Sequence, residues 1–279
     1  MLPHPLQGTP FGDMLDLCIA LAFLAWLLSV LTKEYSWVDR LWSTVPIVYV
    51  GYVAFDAGFE NPRLNLMAVL VALWGLRLSF NFWRKGGFAK GGEDYRWEIL
   101  QERLGPSKFQ ILNATFIAPY QMFLIWLFTS PVHAAWTHQG PLQTLDYIAA
   151  LFFIVFLFGE TLADEQMWVF QQDKQIKRAQ NIPVEPPFFC SGLYRISRHP
   201  NYFCELGQWW VFYLFAVSAS HQWLHWSGFG FVLLTALFHS SVQFSESISA
   251  SKYSGYADYQ EKVSRMIPFL KGVYPKISS

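Results

Sequence analysis

A chain of 279 residues that is 53 % hydrophobic, 19 % aromatic and only 14 % charged is too apolar for a soluble globular domain, where about 25 % of residues carry charge. Its 20 basic and 20 acidic side chains cancel, so nucleic acid has no electrostatic hold on it and is excluded as a partner. Three cysteines, Cys18, Cys190 and Cys204, fall in separate segments without a CxxC pair and indicate neither a disulfide framework nor a zinc site.

Seven apolar stretches follow one another along the chain, at residues 15–31, 41–55, 64–83, 109–128, 142–159, 203–218 and 224–244, each bounded by charge or proline. Most approach the roughly 20 residues that a helix needs to cross the hydrocarbon core. The expectation is an all-α polytopic membrane protein with about seven transmembrane helices, one transmembrane domain over residues 1–279. The first 13 residues hold no Lys or Arg, so the basic start of a cleaved signal is missing and the first run is expected to stay as an anchor. The second run is short and carries Pro46, which predicts a kinked or shielded helix.

Apart from Arg63 and Arg77, every Lys and Arg lies in 32–40, 84–108, 170–200 or after 245. With seven alternating spans those segments share one side, which predicts an N-terminus outside and a cytosolic C-terminus. Nearly all candidate chemistry falls on that side. His133, His138, His221 and His225 lie on the other, where they are expected to be interfacial and solvated; no metal site is expected.

The densest polar run is Ser191-Gly-Leu-Tyr-Arg-Ile-Ser-Arg-His-Pro-Asn-Tyr-Phe-Cys-Glu205, at the mouth of the sixth apolar stretch. Ionisable groups near lipid cost several kcal/mol unless partnered, so this cluster reads as a ligand site. Its proline frees the first N–H groups of the following helix for an anion, beside Arg195 and Arg198. Cys204 reads as a small packing residue. Glu160 and Asp164, four apart, share a helix face and can accept ribose hydroxyls or pair with those arginines. Arg77 sits inside an apolar run; Asp39 is its candidate ion-pair partner. The glycine-rich 85–97 lacks P-loop order and reads as a mobile loop leading to Tyr95, Arg96 and Trp97. Tyr253, Tyr256 and Tyr259 recur every three residues, as one aromatic stripe of a helix that either anchors at the interface or lines a pocket.

Ser197-Arg-His-Pro-Asn-Tyr-Phe-Cys-Glu205 resembles the C-terminal signature of the steroid 5α-reductase-like membrane proteins, a group that includes sterol C14 reductases and an uncharacterised branch. Ser36-Trp-Val-Asp-Arg-Leu-Trp42, Gly91-Gly-Glu-Asp-Tyr-Arg-Trp97, Gly159-Glu-Thr-Leu-Ala-Asp164 and the tail from Tyr253 to Pro268 are similar to that branch, so the resemblance covers most of the chain. It implies that residues 160–268 hold NADPH, with Glu160, Asp164, Arg195, Arg198, His199, Asn201, Tyr202, Glu205, Tyr253 and Tyr256 as cofactor residues. The 2′-phosphate would meet Arg195, Arg198 or the cluster from Lys174 to Arg178. Asp39 stands roughly where 5α-reductases have a glutamate, and Trp74, with Arg77 nearby, where they have a tyrosine, which makes Trp74 and Arg77 substrate residues. Indole has no ionisable proton, so Asp39, Tyr95 or Tyr120 is the implied catalytic acid. The implied activity is NADPH-dependent reduction of a carbon–carbon double bond in a steroid or enoyl lipid, in the endoplasmic reticulum of a eukaryote or the inner membrane of a bacterium.

Two alternatives stay open. Isoprenylcysteine carboxyl methyltransferases share an Arg-His-Pro-x-Tyr turn and bind S-adenosylmethionine there, but their terminal pair of glutamates is here Glu246 followed by Ser247. A non-catalytic lipid or sterol binder is the other. Sequence leaves the oligomeric state open.

Overall fold

The computed structural model describes residues 6–275, and among them every regular element is helical. Five helical segments are long and apolar enough to cross a membrane: Pro10–Thr32, Pro62–Arg84, Pro106–Thr137, Thr144–Ala179 and Gly228–Lys252. The other two expected spans fall short of this. Val45–Asp56 has only 12 residues, and Pro200–Ser220 carries Asn201, Glu205 and Gln208 within it. The chain forms two compact units, one made of residues up to Leu151 with Trp210–Leu234, the other of Phe152–Trp209 with the residues from Thr235 onward. Residues 160–268, expected to hold the cofactor, divide between the two: 210–234 lie in the first unit and the rest in the second.

In the first unit, prolines start helices rather than break them. Proline occupies the first turn of α1 (Pro10–Thr32), α3 (Val45–Asp56), α4 (Pro62–Arg84), α6 (Pro106–Leu112) and α8 (Pro131–Thr137), where its missing N–H costs no bond. The second apolar run is therefore not one kinked helix. It divides into α2 (Trp37–Trp42) and α3, with Pro46 opening the latter. Asn61 caps α4 by accepting from the N–H groups of Arg63 and Leu64 at 3.0 and 3.3 Å. Gly75 of α4 lets that helix approach the end of α2, because a Cβ there would lie 2.4 Å from the Ser43 carbonyl oxygen.

The fourth apolar run is also interrupted. Between α6 and α7 (Gln121–Phe128), residues Asn113–Tyr120 form a π-helical stretch containing Pro119. A proline inside a helix removes one backbone donor, and a wider turn accommodates the loss. Asn113 there donates to Ser29 of α1 at 2.8 Å.

Arg63 is fully buried, and its Nε and Nη2 donate to the two Asp146 carboxylate oxygens at 2.9 and 3.0 Å. Further bonds run to the carbonyls of His138 and Pro141. His138 and His221 are exposed as expected, whereas His133 is half-buried among Phe11, Trp136 and Trp226, with centroids 5.6–6.2 Å away. Its expected solvation does not hold, because the aromatic rings of α1, α8 and the 224–227 turn enclose it.

The second unit contains the later part of α9 (Thr144–Ala179), the first turns of α10 (Pro200–Ser220), the later part of α11 (Gly228–Lys252) and α12 (Tyr256–Lys262). A single 3-10 turn, Gly192–Arg195, precedes α10. The helix of the fifth apolar run extends well beyond Gly159: α9 is 36 residues long, about 54 Å at 1.5 Å per residue.

Candidate functional site

Of the buried acids in the second unit, Glu160, Asp164 and Glu205 are 4, 5 and 4 % exposed. Two small residues let their helices approach. A Cβ on Gly159 would lie 2.9 Å from Cys204 Sγ, and one on Gly207 would lie 2.7 Å from the Phe156 ring. Across this contact Gln208 Nε2 donates to Glu160 Oε2 at 2.7 Å, and Asn201 Nδ2 donates to Asp164 Oδ1 at 3.4 Å. Glu160 and Asp164 are one turn apart on α9, Asn201 and Gln208 two turns apart on α10, so the two bonds form antiparallel rungs. Trp209 Nε1 donates to Glu205 Oε1 at 3.1 Å. Beside them stands Tyr194, whose phenol burial pushes well above its ordinary value, with the Asp164 and Glu160 carboxylates adding to the rise. Tyr194 therefore stays a neutral hydroxyl.

The Arg-His-Pro turn is tied inward. Arg198 Nε and Nη2 donate to Glu246 Oε1 and Oε2 at 2.6 and 3.0 Å, a bidentate pair that is almost fully buried. Nη1 donates to the carbonyls of Gln260, at 2.9 Å, and Val263. Four of the five guanidinium N–H groups are thus engaged within the protein. His199 Nε2 lies 3.1 Å from Glu246 Oε1 and its ring stacks on Tyr202, while Gln260 also donates to Glu246. His199 caps α10 by accepting from Phe203 N at 3.1 Å.

Backbone bonds bind the same turn to the tail. Arg198 N donates to Ser264 O at 2.9 Å and His199 N to Arg265 O at 3.0 Å. Tyr274 N and Arg195 O are 2.9 Å apart, and Arg195 Nε returns a bond to Tyr274 O at 2.8 Å.

Tyr253, Tyr256 and Tyr259 do not share one helix. Tyr253 follows α11, and Gly255, at φ 85°, reverses the chain before α12 carries the other two. Tyr256 and Tyr259 are buried against Phe188 and Cys190, with Tyr253 and Tyr274 packed around them. Burial pushes the Cys190 thiol up to about 11, so it is inert. Tyr253 is half-buried and accepts from Lys174 Nζ at 3.2 Å.

In the first unit, the two sequence motifs at 36–42 and 91–97 meet. Arg40 donates to Glu34 at 2.8 Å and to the carbonyls of Gly87 and Ala89, and Glu34 accepts from Gly91 N. Glu93 accepts from the backbone of Tyr35 and Ser36, and Asp94 N donates to Ser36 Oγ. The glycine-rich segment is docked, not a free loop. Asp39 Oδ2 accepts from Trp97 Nε1 of α5 (Tyr95–Leu104) at 3.1 Å. Burial pushes the Asp39 carboxyl above its usual range, Asp94 adding to the rise and Ser36 and Trp97 opposing it. Tyr95 is exposed, Tyr120 is half-buried and stacked on Phe116, and Trp74 is fully buried in α4, three residues before the half-buried Arg77.

Residues 25–263 match the family described as "Protein of unknown function (DUF1295)". The chain belongs to the DUF1295 family. It is also 33 % identical over 278 residues to the Uncharacterized protein C594.04c of Schizosaccharomyces pombe, covering 94 % of this chain and 81 % of that protein. No solved structure matches it. The DUF1295 span takes in both motif clusters, the acid rungs and Glu246, and ends at Val263, whose carbonyl receives Arg198.

Sequence reasoning missed three residues in this DUF1295 protein: Glu246, Gln208 and Tyr194. The signal for the first two was available, since a carboxylate or an amide in an apolar run needs a partner. Tyr194 carried none beyond its place in the polar run.

Proposed function

We propose that this DUF1295 protein is an NADPH-dependent membrane reductase of a carbon–carbon double bond in a steroid or other lipid, akin to the steroid 5α-reductase-like proteins. The observation that carries the reading is the pair of antiparallel rungs, Asn201 to Asp164 and Gln208 to Glu160, in a nearly water-free part of the second unit. Acids so placed accept hydroxyl donors and repel phosphate, which suits the ribose of a dinucleotide. Gln208 supports the fit: Nε2 is fixed by two acceptors, Glu160 and the Cys204 carbonyl, while the buried Oε1 has no hydrogen-bond partner and suits a ligand N–H or O–H.

When bound, the nicotinamide supplies a hydride to an electron-poor carbon. The chain's own part is to orient and exclude water. Glu246 holds Arg198 and His199 and so fixes the entry of α10; Asp164 and Glu160 hold the side chains that would face the ligand. Tyr194 keeps its proton and can donate a hydrogen bond. In the first unit Asp39, whose carboxyl is raised, is one of the three proton donors the resemblance implies, with Tyr95 and Tyr120.

Thermal unfolding of the purified protein with NADPH, NADH and S-adenosylmethionine tests the reading. A ligand at a hundredfold excess over its Kd adds about 2.7 kcal/mol to the folded state. NADPH is expected to stabilise the wild type, and Asn201→Ala and Asp164→Ala to lose that shift while staying folded; wild-type shifts in both would remove the site assignment. Glu246 meeting the Arg-His-Pro turn is what keeps methyl transfer as a second reading, and stabilisation by S-adenosylmethionine alone would decide for it.

A further inference from the structure

Lys174 is an ammonium with no carboxylate. It is 4 % exposed, and its Nζ donates to the Pro187 carbonyl and to the Tyr253 hydroxyl at 3.2 Å. It also lies 4.7 Å from the Tyr253 ring centroid and 5.5 Å from that of Phe170. The preceding acid, Asp173, is taken by Lys177 at 2.8 Å, and among the described residues Lys174 forms no ion pair. Two neutral acceptors and two aromatic faces leave one N–H unspent and the charge uncancelled, at a depth where a buried cation ordinarily has a counter-ion. Because Lys174 donates to Tyr253, the phenol's own proton is free to point away from it. Lys252 and Arg178 act on the same phenol: burial pushes Tyr253 up, but these cations, Lys174 foremost, bring it below its ordinary value. One buried ammonium with an N–H to spare and one adjacent hydroxyl with its proton uncommitted are a donor pair for a tetrahedral anion.

We propose that Lys174 and Tyr253 form a phosphate-binding subsite of this protein. The phosphate belongs either to a nucleotide, in which case the inference rests on the reductase reading, or to a phospholipid headgroup. The sequence offered Arg195, Arg198 or the cluster from Lys174 to Arg178 for the same task, without choosing among them. Arg198 is neutralised by Glu246 and Arg195 is only half-buried, whereas Lys174 is buried with no carboxylate partner among the described residues.

The test uses the full-length protein in phosphatidylcholine nanodiscs, with NADPH and NADH as probes, and in discs with phosphatidylglycerol added. Binding and thermal unfolding are measured for the wild type, Lys174→Met, Lys174→Arg and Tyr253→Phe. Lys174→Met is expected to weaken the phosphate-bearing probe by about tenfold or more, Tyr253→Phe by a few-fold, and Lys174→Arg to retain it. A greater loss for NADPH than for NADH assigns the 2′-phosphate, and equal losses assign the pyrophosphate. If neither nucleotide binds the wild type but phosphatidylglycerol stabilises it through Lys174, the subsite stands with a lipid occupant and the reductase reading fails. If NADPH and phosphatidylglycerol act alike on wild type, Lys174→Met and Tyr253→Phe, the subsite fails and the reductase reading survives. Should Lys174→Met not fold, an unchanged Tyr253→Phe suffices to overturn the proposal.

Discussion

Glu246 accepts hydrogen bonds from Arg198 and Gln260, and His199 Nε2 lies against it, so Glu246→Gln removes one charge from a buried pair and leaves the guanidinium uncompensated. Breaking a buried pair from one side costs about 3–5 kcal/mol, and the thermal midpoint of Glu246→Gln is expected to fall accordingly. The apolar double replacement Arg198→Met with Glu246→Leu should recover part of that loss. Asp39 gives a pH signature. Its folded carboxyl is raised above the unfolded value, so its burial penalises folding nowhere below the unfolded pKa, and stability is lost as pH rises from there through the folded pKa. Asp39→Asn has no such proton to lose. The variant should match the wild type near pH 3.5–4 and exceed it increasingly toward neutrality, as read by thermal unfolding against pH. The same variant tests the proton donor: it should keep NADPH and lose turnover. Individual residues were legible where sequence placed a charge inside an apolar run, as for Glu160 and Asp164. They were not legible as pairs, because the partner of Arg198 lies 48 positions away and no periodicity connects the two.

At the scale of elements, apolar runs bounded by proline marked helix starts well, since proline at the first turn sacrifices no bond. They did not reveal where a helix pauses inside a run. The break at Ser43–Thr44 and the π turn at Asn113–Tyr120 depend on how neighbouring helices meet those segments. They also hid the length of α9, whose later turns are polar yet helical. The contact of α9 with α10 depends on glycine. Gly207→Ala drives a Cβ into the Phe156 ring and is expected to destabilise by about 1–3 kcal/mol. Gly51, inside α3, has no atom within 4 Å of an added Cβ, so Gly51→Ala should instead stabilise by up to about 1 kcal/mol. Urea or thermal unfolding of both variants, side by side, separates packing from propensity. The tail is a third case. Cutting the chain after Leu270 removes both Tyr274 bonds to Arg195 and should expose the 191–199 turn to limited proteolysis, with α1 to α8 unchanged in their protection.

At the largest scale, fold class follows from composition: the described residues are all-helical in their regular structure, with five apolar helical segments of membrane-crossing length among them. Large side chains such as Phe23, Leu31, Leu76 and Phe158 stand 60–70 % exposed along those helices, which water would not tolerate in such number and lipid does. Phe23→Asp is therefore expected to cost about 3 kcal/mol of insertion and to lower the carbonate-resistant membrane fraction.

Arg198 also imposes an order in time. It leaves the ribosome 48 residues before Glu246 and 65 before Val263, and at about 5–20 residues per second its final acceptor follows some 3–13 seconds later. Throughout that interval a bare guanidinium sits at the start of α10, and it is the kind of charge that holds a nascent segment back from translocation. The residue that later locks the turn thus spends that interval without the carboxylate that neutralises it. A glutamine or methionine at 198 would weaken the finished turn and also remove that early charge from the start of α10.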